Sequence, residues 1–177
     1  KVVLTAREAS YAVVEAPPAR LLRSDGASVV AGGLGGFGLE IARWMAAEGA
    51  GHIVLASRRG LPRDDELAAL EELLAATSDG GAQLHFIRAD VTQERAVARL
   101  LDHVRTEIAP LRGVVHAAMV LDDALLGTLD WARFAAVLEP KLAGAWHLHA
   151  LTAADELDHF VMFSSISLLI GQVAQSA

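Results

Sequence analysis

Eight consecutive residues, Ala31-Gly32-Gly33-Leu34-Gly35-Gly36-Phe37-Gly38, limit the folds open to this chain more than any other feature. They stand between a short apolar run, Val29-Val30, and a run of helical character, Leu39-Glu40-Ile41-Ala42-Arg43-Trp44-Met45. Strand, glycine turn, helix is the order in which a parallel α/β sheet presents backbone N–H groups to a diphosphate. Residues without side chains let phosphates approach the backbone and let the helix pack closely on the strand. With that context on both sides, the loop reads as a nucleotide-binding turn.

The rest of the chain repeats the same alternation. Apolar runs at 28–31, 52–56, 84–87, 113–115 and 160–163 read as strands. Helical patterns lie between them. One covers 39–48 and is closed by Gly49. A second covers 64–76, with Leu67, Leu70, Leu73 and Leu74 on one face. A third covers 93–108, with Val97, Leu100, Leu101 and Val104 at helical spacing and Pro110 beyond its end. The last covers 131–151. The expected class is therefore α/β, a Rossmann-like doubly wound parallel sheet with helices on both faces. Residues 1–27 read differently, as a linker: a strand-like start at 1–4, an extended Ala16-Pro17-Pro18-Ala19 and a turn at Arg23-Ser24-Asp25-Gly26. The nucleotide-binding unit is expected over 28–177.

Composition narrows the function classes. The 177 residues are 53% hydrophobic and 21% charged, which suits one globular domain. A net charge of −7 argues against nucleic acid as a partner. No apolar run is long enough to span a bilayer, so no membrane partner is expected, and a cytoplasmic location is the default. There is no cysteine, and the seven histidines show no ligand spacing, so no metal is expected. The only lysines are Lys1 and Lys141, against 15 basic residues in all. Lysine can relay a proton and arginine in practice cannot, so Lys141 marks a position where arginine would not serve; a solvated helix lysine is the plainer reading.

The second strand bears on the cofactor. An acid about 20 residues past the glycines selects NAD, and a basic group there accommodates the 2′-phosphate of NADP. Here the strand ends in Ser57-Arg58-Arg59-Gly60, a hydroxyl and two guanidiniums with no acid. That favours NADP(H) over a merely solvated basic turn. After the third strand, Asp90-Val91-Thr92 offers an acid for an adenine amino group. Asp90 or Thr92 equally suits a cap for the helix that Glu94 begins.

Seven ordered motifs then carry a resemblance: Gly32-Gly33-Leu34-Gly35-Gly36-Phe37-Gly38, Ser57-Arg58-Arg59-Gly60, Asp90-Val91-Thr92, Gly113-Val114-Val115-His116-Ala117-Ala118, Leu121-Asp122-Asp123, Pro140-Lys141-Leu142-Ala143-Gly144-Ala145-Trp146 and Phe163-Ser164-Ser165. From about Asp25 onward the chain closely resembles the catalytic half of a ketoreductase domain from a modular polyketide synthase, a short-chain dehydrogenase/reductase fold. Lys1–Thr5 also resemble the end of an enoylreductase domain.

The resemblance implies that NADPH reduces the β-ketone of an acyl chain carried as a phosphopantetheine thioester on an acyl carrier protein. Neighbouring synthase domains, enoylreductase and dehydratase, are the other implied partners. By motif position Ser165 matches the serine that hydrogen-bonds the carbonyl oxygen. Lys141 matches the lysine that holds the ribose and lowers the pKa of a proton-donating tyrosine. The glycine loop, Ser57, Arg58, Arg59, Asp90, Val91, His116, Ala117 and Ala118 match cofactor-binding positions. Asp123 matches the signature of the B-type stereochemical class, whose product is D-configured, and Ile170 stands about where the other class carries a tryptophan. A non-catalytic structural ketoreductase domain and a free-standing short-chain reductase are the alternative functions.

Some positions depart from the family pattern. Ala31 replaces a usual threonine, and Met119 stands where the pattern has glycine. The family tyrosine is due about one position beyond Ala177, and the one tyrosine of the chain is Tyr11. The reading therefore expects a C-terminally truncated piece, with later strands and lid missing, that does not reduce ketones and is unstable alone.

Overall fold

The computed structural model describes residues 21–63, 66, 70–73, 75 and 81–171, with the side chain of Leu168 left aside. Most of the expected linker, Tyr11, parts of the helix expected at 64–76 and the segment 172–177 lie outside the described residues.

Five strands form one parallel sheet: β1 (Ala27–Ala31), β2 (His52–Ser57), β3 (Gln83–Arg88), β4 (Leu111–His116) and β5 (His159–Met162). Their order is β3-β2-β1-β4-β5, so the chain runs outward from β1 to one edge and then crosses to build the other. β1 is central and buried along its whole length, as a near-continuous apolar strand in a doubly covered sheet must be. Register pairs Val30 with Leu55 on one side and with Val115 on the other. β5 begins one residue earlier than its apolar run, because His159 pairs with Gly113.

Alternate side chains divide the core into two layers. On one face Val30, Ile53, Leu55 and Val115 pack with Leu39 and Met45 of α1 (Gly36–Ala47). Leu70 and Leu73 join this layer, and residues 70–73 are helical. On the other face Val29, Val54 and Val114 pack with Val97, Leu100 and Leu101 of α2 (Glu94–His103) and with Leu148 of α3 (Trp131–Leu151). Burying leucine- and valine-sized side chains contributes roughly 1.5–3 kcal/mol each.

Two helices differ from their sequence pattern. The run at 93–108 divides into α2 and a π-helical turn, Val104–Ile108, closed by the Ala109 N–H on the Val104 carbonyl at 3.0 Å. That turn carries Arg105, whose Nε and Nη2 bond Asp155 at 3.0 and 2.6 Å and whose Nη2 also bonds the Leu151 carbonyl at 2.8 Å. The N-cap of α2 is Gln93, not Asp90 or Thr92. α3 runs for 21 residues through an internal Pro140, and its fully buried positions are Pro140, Gly144 and Leu148. These three positions, four residues apart, face the sheet, while Leu142 and Trp146 stay exposed. Asp130 caps α3 by accepting the Arg133 N–H at 2.9 Å. No helix among the described residues is long and apolar enough to cross a membrane.

Candidate functional site

The chain reverses direction across the sheet between β1 and β4, and open α/β sheets bind ligands in the crevice at the carboxyl ends of such strands. The glycine loop leaves β1 there, and Ala117-Ala118 leave β4 beside it. The Ala117 N–H bonds the Ala31 carbonyl at 2.9 Å, so Ala31 serves the turn through its backbone. Gly32 holds φ +82°, and a Cβ on it would stand 2.6 Å from the Ala118 nitrogen. A Cβ on Gly38 would stand 2.4 Å from the Gly32 carbonyl oxygen. These two glycines are needed by the turn itself. Gly36 differs, since nothing lies within 4 Å of where its Cβ would be. Gly36 opens α1, which has no side-chain cap and no acid in its first turn. The exposed start of α1 therefore presents N–H groups and a positive dipole end with no side-chain cap among the described residues. Leu34 turns inward, 1% exposed, while Phe37 turns outward and meets the Phe163 ring at 5.9 Å between centroids.

At the ends of β2 and β3 the structure separates two arginines that the sequence treats alike. Arg59 is bound to Glu66 at 2.7 and 3.0 Å. Glu66 is also approached by Arg63. Burial alone would raise the Glu66 carboxyl, but the two cations outweigh it and hold the pKa below the ordinary value. Arg58 is exposed and has no carboxylate partner among the described residues. Its carbonyl accepts the Nε–H of Arg88 at 3.1 Å. Arg88 pairs with Ser57 across the strands, which brings a second exposed guanidinium to this end. Sequence reading missed Arg88, and the strand-end register is the signal that finds it. The Ser57 hydroxyl accepts the Gly60 N–H at 2.9 Å and shapes the turn. Asp90 Oδ1 accepts from the Thr92 N–H and hydroxyl at 3.0 and 2.8 Å, a local turn at the end of β3. Val91 is buried, and its carbonyl bonds His147 Nδ1 at 2.9 Å.

β4, β5 and α3 meet next to this cradle. Lys141 Nζ donates to the Phe163 carbonyl at 2.9 Å, and partial burial lowers the lysine pKa from its ordinary value. Ser165, two residues on, is exposed. Its hydroxyl donates to Ser167 Oγ at 3.0 Å and accepts the Ser167 N–H at 3.1 Å, which supports the short helix α4 (Ser167–Ile170). The His116 ring is 2% exposed and turned toward α3, with Nε2 2.9 Å from the Pro140 carbonyl oxygen. Asp122 forms a two-pronged ion pair with Arg133 of α3, and the guanidinium holds its carboxyl below the ordinary value. Asp123 is exposed, with its carbonyl 3.3 Å from Arg133 Nη2.

A parallel sheet with this strand order, a glycine turn on its first strand and a lysine of α3 reaching the segment that follows β5 make up a Rossmann-like α/β domain. The family model for the KR domain matches residues 26–177, and the chain belongs to that family, the ketoreductase domains of polyketide synthases. A mycocerosic acid synthase-like polyketide synthase of Mycobacterium tuberculosis is 40% identical over all of the chain. A highly-reducing polyketide synthase of Aureobasidium melanogenum is 38% identical over 94% of it. The chain spans only 8% and 7% of those relatives' lengths. Among solved structures, a ketoreductase domain from the bacillaene assembly line superposes with a TM-score of 0.80 at 30% identity, covering 92% of this chain and 38% of that one. An A-type ketoreductase from a modular polyketide synthase gives 0.76 at 38% identity, covering 85% and 31%.

Proposed function

We propose that this chain is the cofactor-binding part of a reductase that uses NADPH to convert the β-keto group of an acyl chain, held as a thioester on an acyl carrier protein, to a β-hydroxyl. One observation carries the reading: Lys141, the Phe163 carbonyl and the Ser165 segment gather at the ends of β4 and β5, beside the glycine loop that Phe37 ties to Phe163.

The residues present suit such a cofactor. The uncapped start of α1 and the open side of Gly36 suit a diphosphate. Arg58 and Arg88 suit a ribose 2′-phosphate. When bound, NADPH would supply a hydride to the carbonyl carbon and leave as NADP+, and the carbonyl oxygen would take up one proton to become the hydroxyl. Lys141 brings a fixed ammonium to the ribose and to any anion formed nearby. Ser165 offers a hydroxyl for the ketone oxygen once it turns from Ser167, and a donor aimed at a developing alkoxide is the strongest single aid to such a step. The sequence has one tyrosine, Tyr11, and no part in the reaction is assigned to it.

Asp123, in the exposed segment that Arg133 anchors, supports the B-type reading, with a D-configured product. The engagement of Ser165 with Ser167 supports a second reading, a domain that serves the synthase structurally without turnover.

The test uses the full-length protein that carries this domain, a β-ketoacyl pantetheine thioester and NADPH. The expected result is NADPH consumption with formation of the D-configured alcohol. An L-configured alcohol overturns the stereochemical part alone. No turnover by a protein that still binds NADPH favours the structural reading.

A further inference from the structure

His116 closes a ring of hydrogen bonds around the lysine. Its Nε2 lies 2.9 Å from the Pro140 carbonyl oxygen, and Pro140 immediately precedes Lys141. Lys141 Nζ reaches the Phe163 carbonyl at 2.9 Å. The Phe163 N–H returns to the His116 carbonyl at 3.1 Å. The circuit thus begins and ends on one residue, through its ring on α3 and through its backbone on Phe163, the residue after β5.

Three features make the ring contact a specific one. A carbonyl oxygen only accepts, so Nε2 carries the proton. Nδ1 is buried and has no partner among the described residues, so a second proton there would place an unpaired donor and a charge in the core. Histidine is thereby held neutral in one tautomer, with its donor aimed at α3. The helix also reaches the ring only because residue 144 is glycine. A Cβ there would stand 2.8 Å from Val91 Cγ2 and 3.2 Å from His116 Cε1.

We propose that His116 is a positioning residue for Lys141: its Nε2–H, bonded to the Pro140 carbonyl, sets the rotation and depth of α3 at the lysine and so fixes where the ammonium is presented. The inference rests on the reading of Lys141 as a cofactor-holding group. His116 acts through that lysine and not by touching the cofactor with its ring.

The experiment measures NADPH affinity of the full-length protein by nicotinamide fluorescence, with thermal unfolding recorded for each variant. His116→Met keeps length and removes the donor. His116→Gln keeps an N–H at about the reach of Nε2. Losing one neutral hydrogen bond is worth about 1 kcal/mol, so H116M should weaken NADPH binding about fivefold. H116Q should recover most of that loss. In the K141A background H116M should add nothing further, because the two residues act in series. Should H116M fail to fold, Gly144→Ala pushes the helix off His116 from the other side. It should weaken NADPH binding with Lys141 present and not in the K141A background.

Wild-type affinity in H116M alongside a weakened K141A overturns the inference and leaves the site reading standing. Losses that multiply in the double variant also overturn it, since His116 would then act independently of Lys141. Unchanged affinity in K141A overturns the site reading, and the inference with it.

Discussion

At the scale of single residues, charge pairing decides which side chains are available to a ligand. Arg58 and Arg59 are adjacent, yet Arg59 is held by Glu66 while Arg58 has no carboxylate partner among the described residues. An exposed arginine free of a carboxylate meets a phosphate without first breaking an ion pair. Charge-assisted hydrogen bonds contribute about 1.5–3 kcal/mol, so Arg58→Asp should weaken NADPH binding about 10–100-fold, with a much smaller effect on NADH. Arg59→Asp should cost less, because its charge is already spoken for. Arg88→Ala should fall between them. Titration of each variant with both cofactors checks the order; equal losses for NADPH and NADH would remove the phosphate from the account. The sequence showed a basic turn here but could not rank its members. The ranking depends on Glu66, seven residues beyond Arg59, and on Arg88, which only the register of β3 beside β2 brings near.

At the scale of elements, the strands and the glycine loop were legible because their signals are local: apolar runs bounded by glycine, with helical spacing between. The split of the third helical pattern was not legible. It ends in a wider turn where Arg105 bonds Asp155, fifty residues away. The lysine circuit was equally hidden, since His116 meets Pro140 across 24 residues and Lys141 meets Phe163 across 22. What the sequence did show was that Lys141 is the one lysine after Lys1 and that Ser165 follows a strand.

The β4–β5 pair has its own steric condition. A Cβ on Gly113 would stand 2.0 Å from the His159 ring, whose Nδ1 bonds the Leu21 carbonyl at 3.1 Å. Gly113→Ala should therefore drive His159 out and loosen β5, at a cost of about 1–3 kcal/mol. Hydrogen exchange at Phe160, Val161 and Met162 should quicken relative to β1. Unchanged exchange in β5 would show that the ring has room to move.

For the molecule as a whole, histidines withdrawn from water, His116 fully and His85 and His159 in part, bear on the response to acid. Burial is the leading cause that lowers the pKa values of His85, His116 and His159 below the ordinary 6.5. The unfolded chain then binds more protons than the folded one between those lowered values and about pH 6.5. Their contribution to stability is complete above that pH and is lost as the pH falls through the lowered values. Melting temperatures recorded from about pH 8 down to about pH 5 should stay level at first and decline below about 6.5. A melting temperature that is flat or rises on acidification contradicts this. The paired carboxylates respond later: Asp25, held at about 2 by Arg23, still carries its charge throughout that range.

The central claim is that the glycine cradle, Lys141 and Ser165 belong to one reductase site. Its most direct measurement follows the transferred hydrogen. The full-length protein is given a β-ketoacyl pantetheine thioester and NADPH deuterated at the transferable position, and the product is read by mass spectrometry. Deuterium is expected on the β-carbon of a hydroxyacyl product, with far less labelled product from Ser165→Ala and Lys141→Ala proteins that remain folded. No labelled product from the wild-type protein, or equal labelling by both variants, would contradict it.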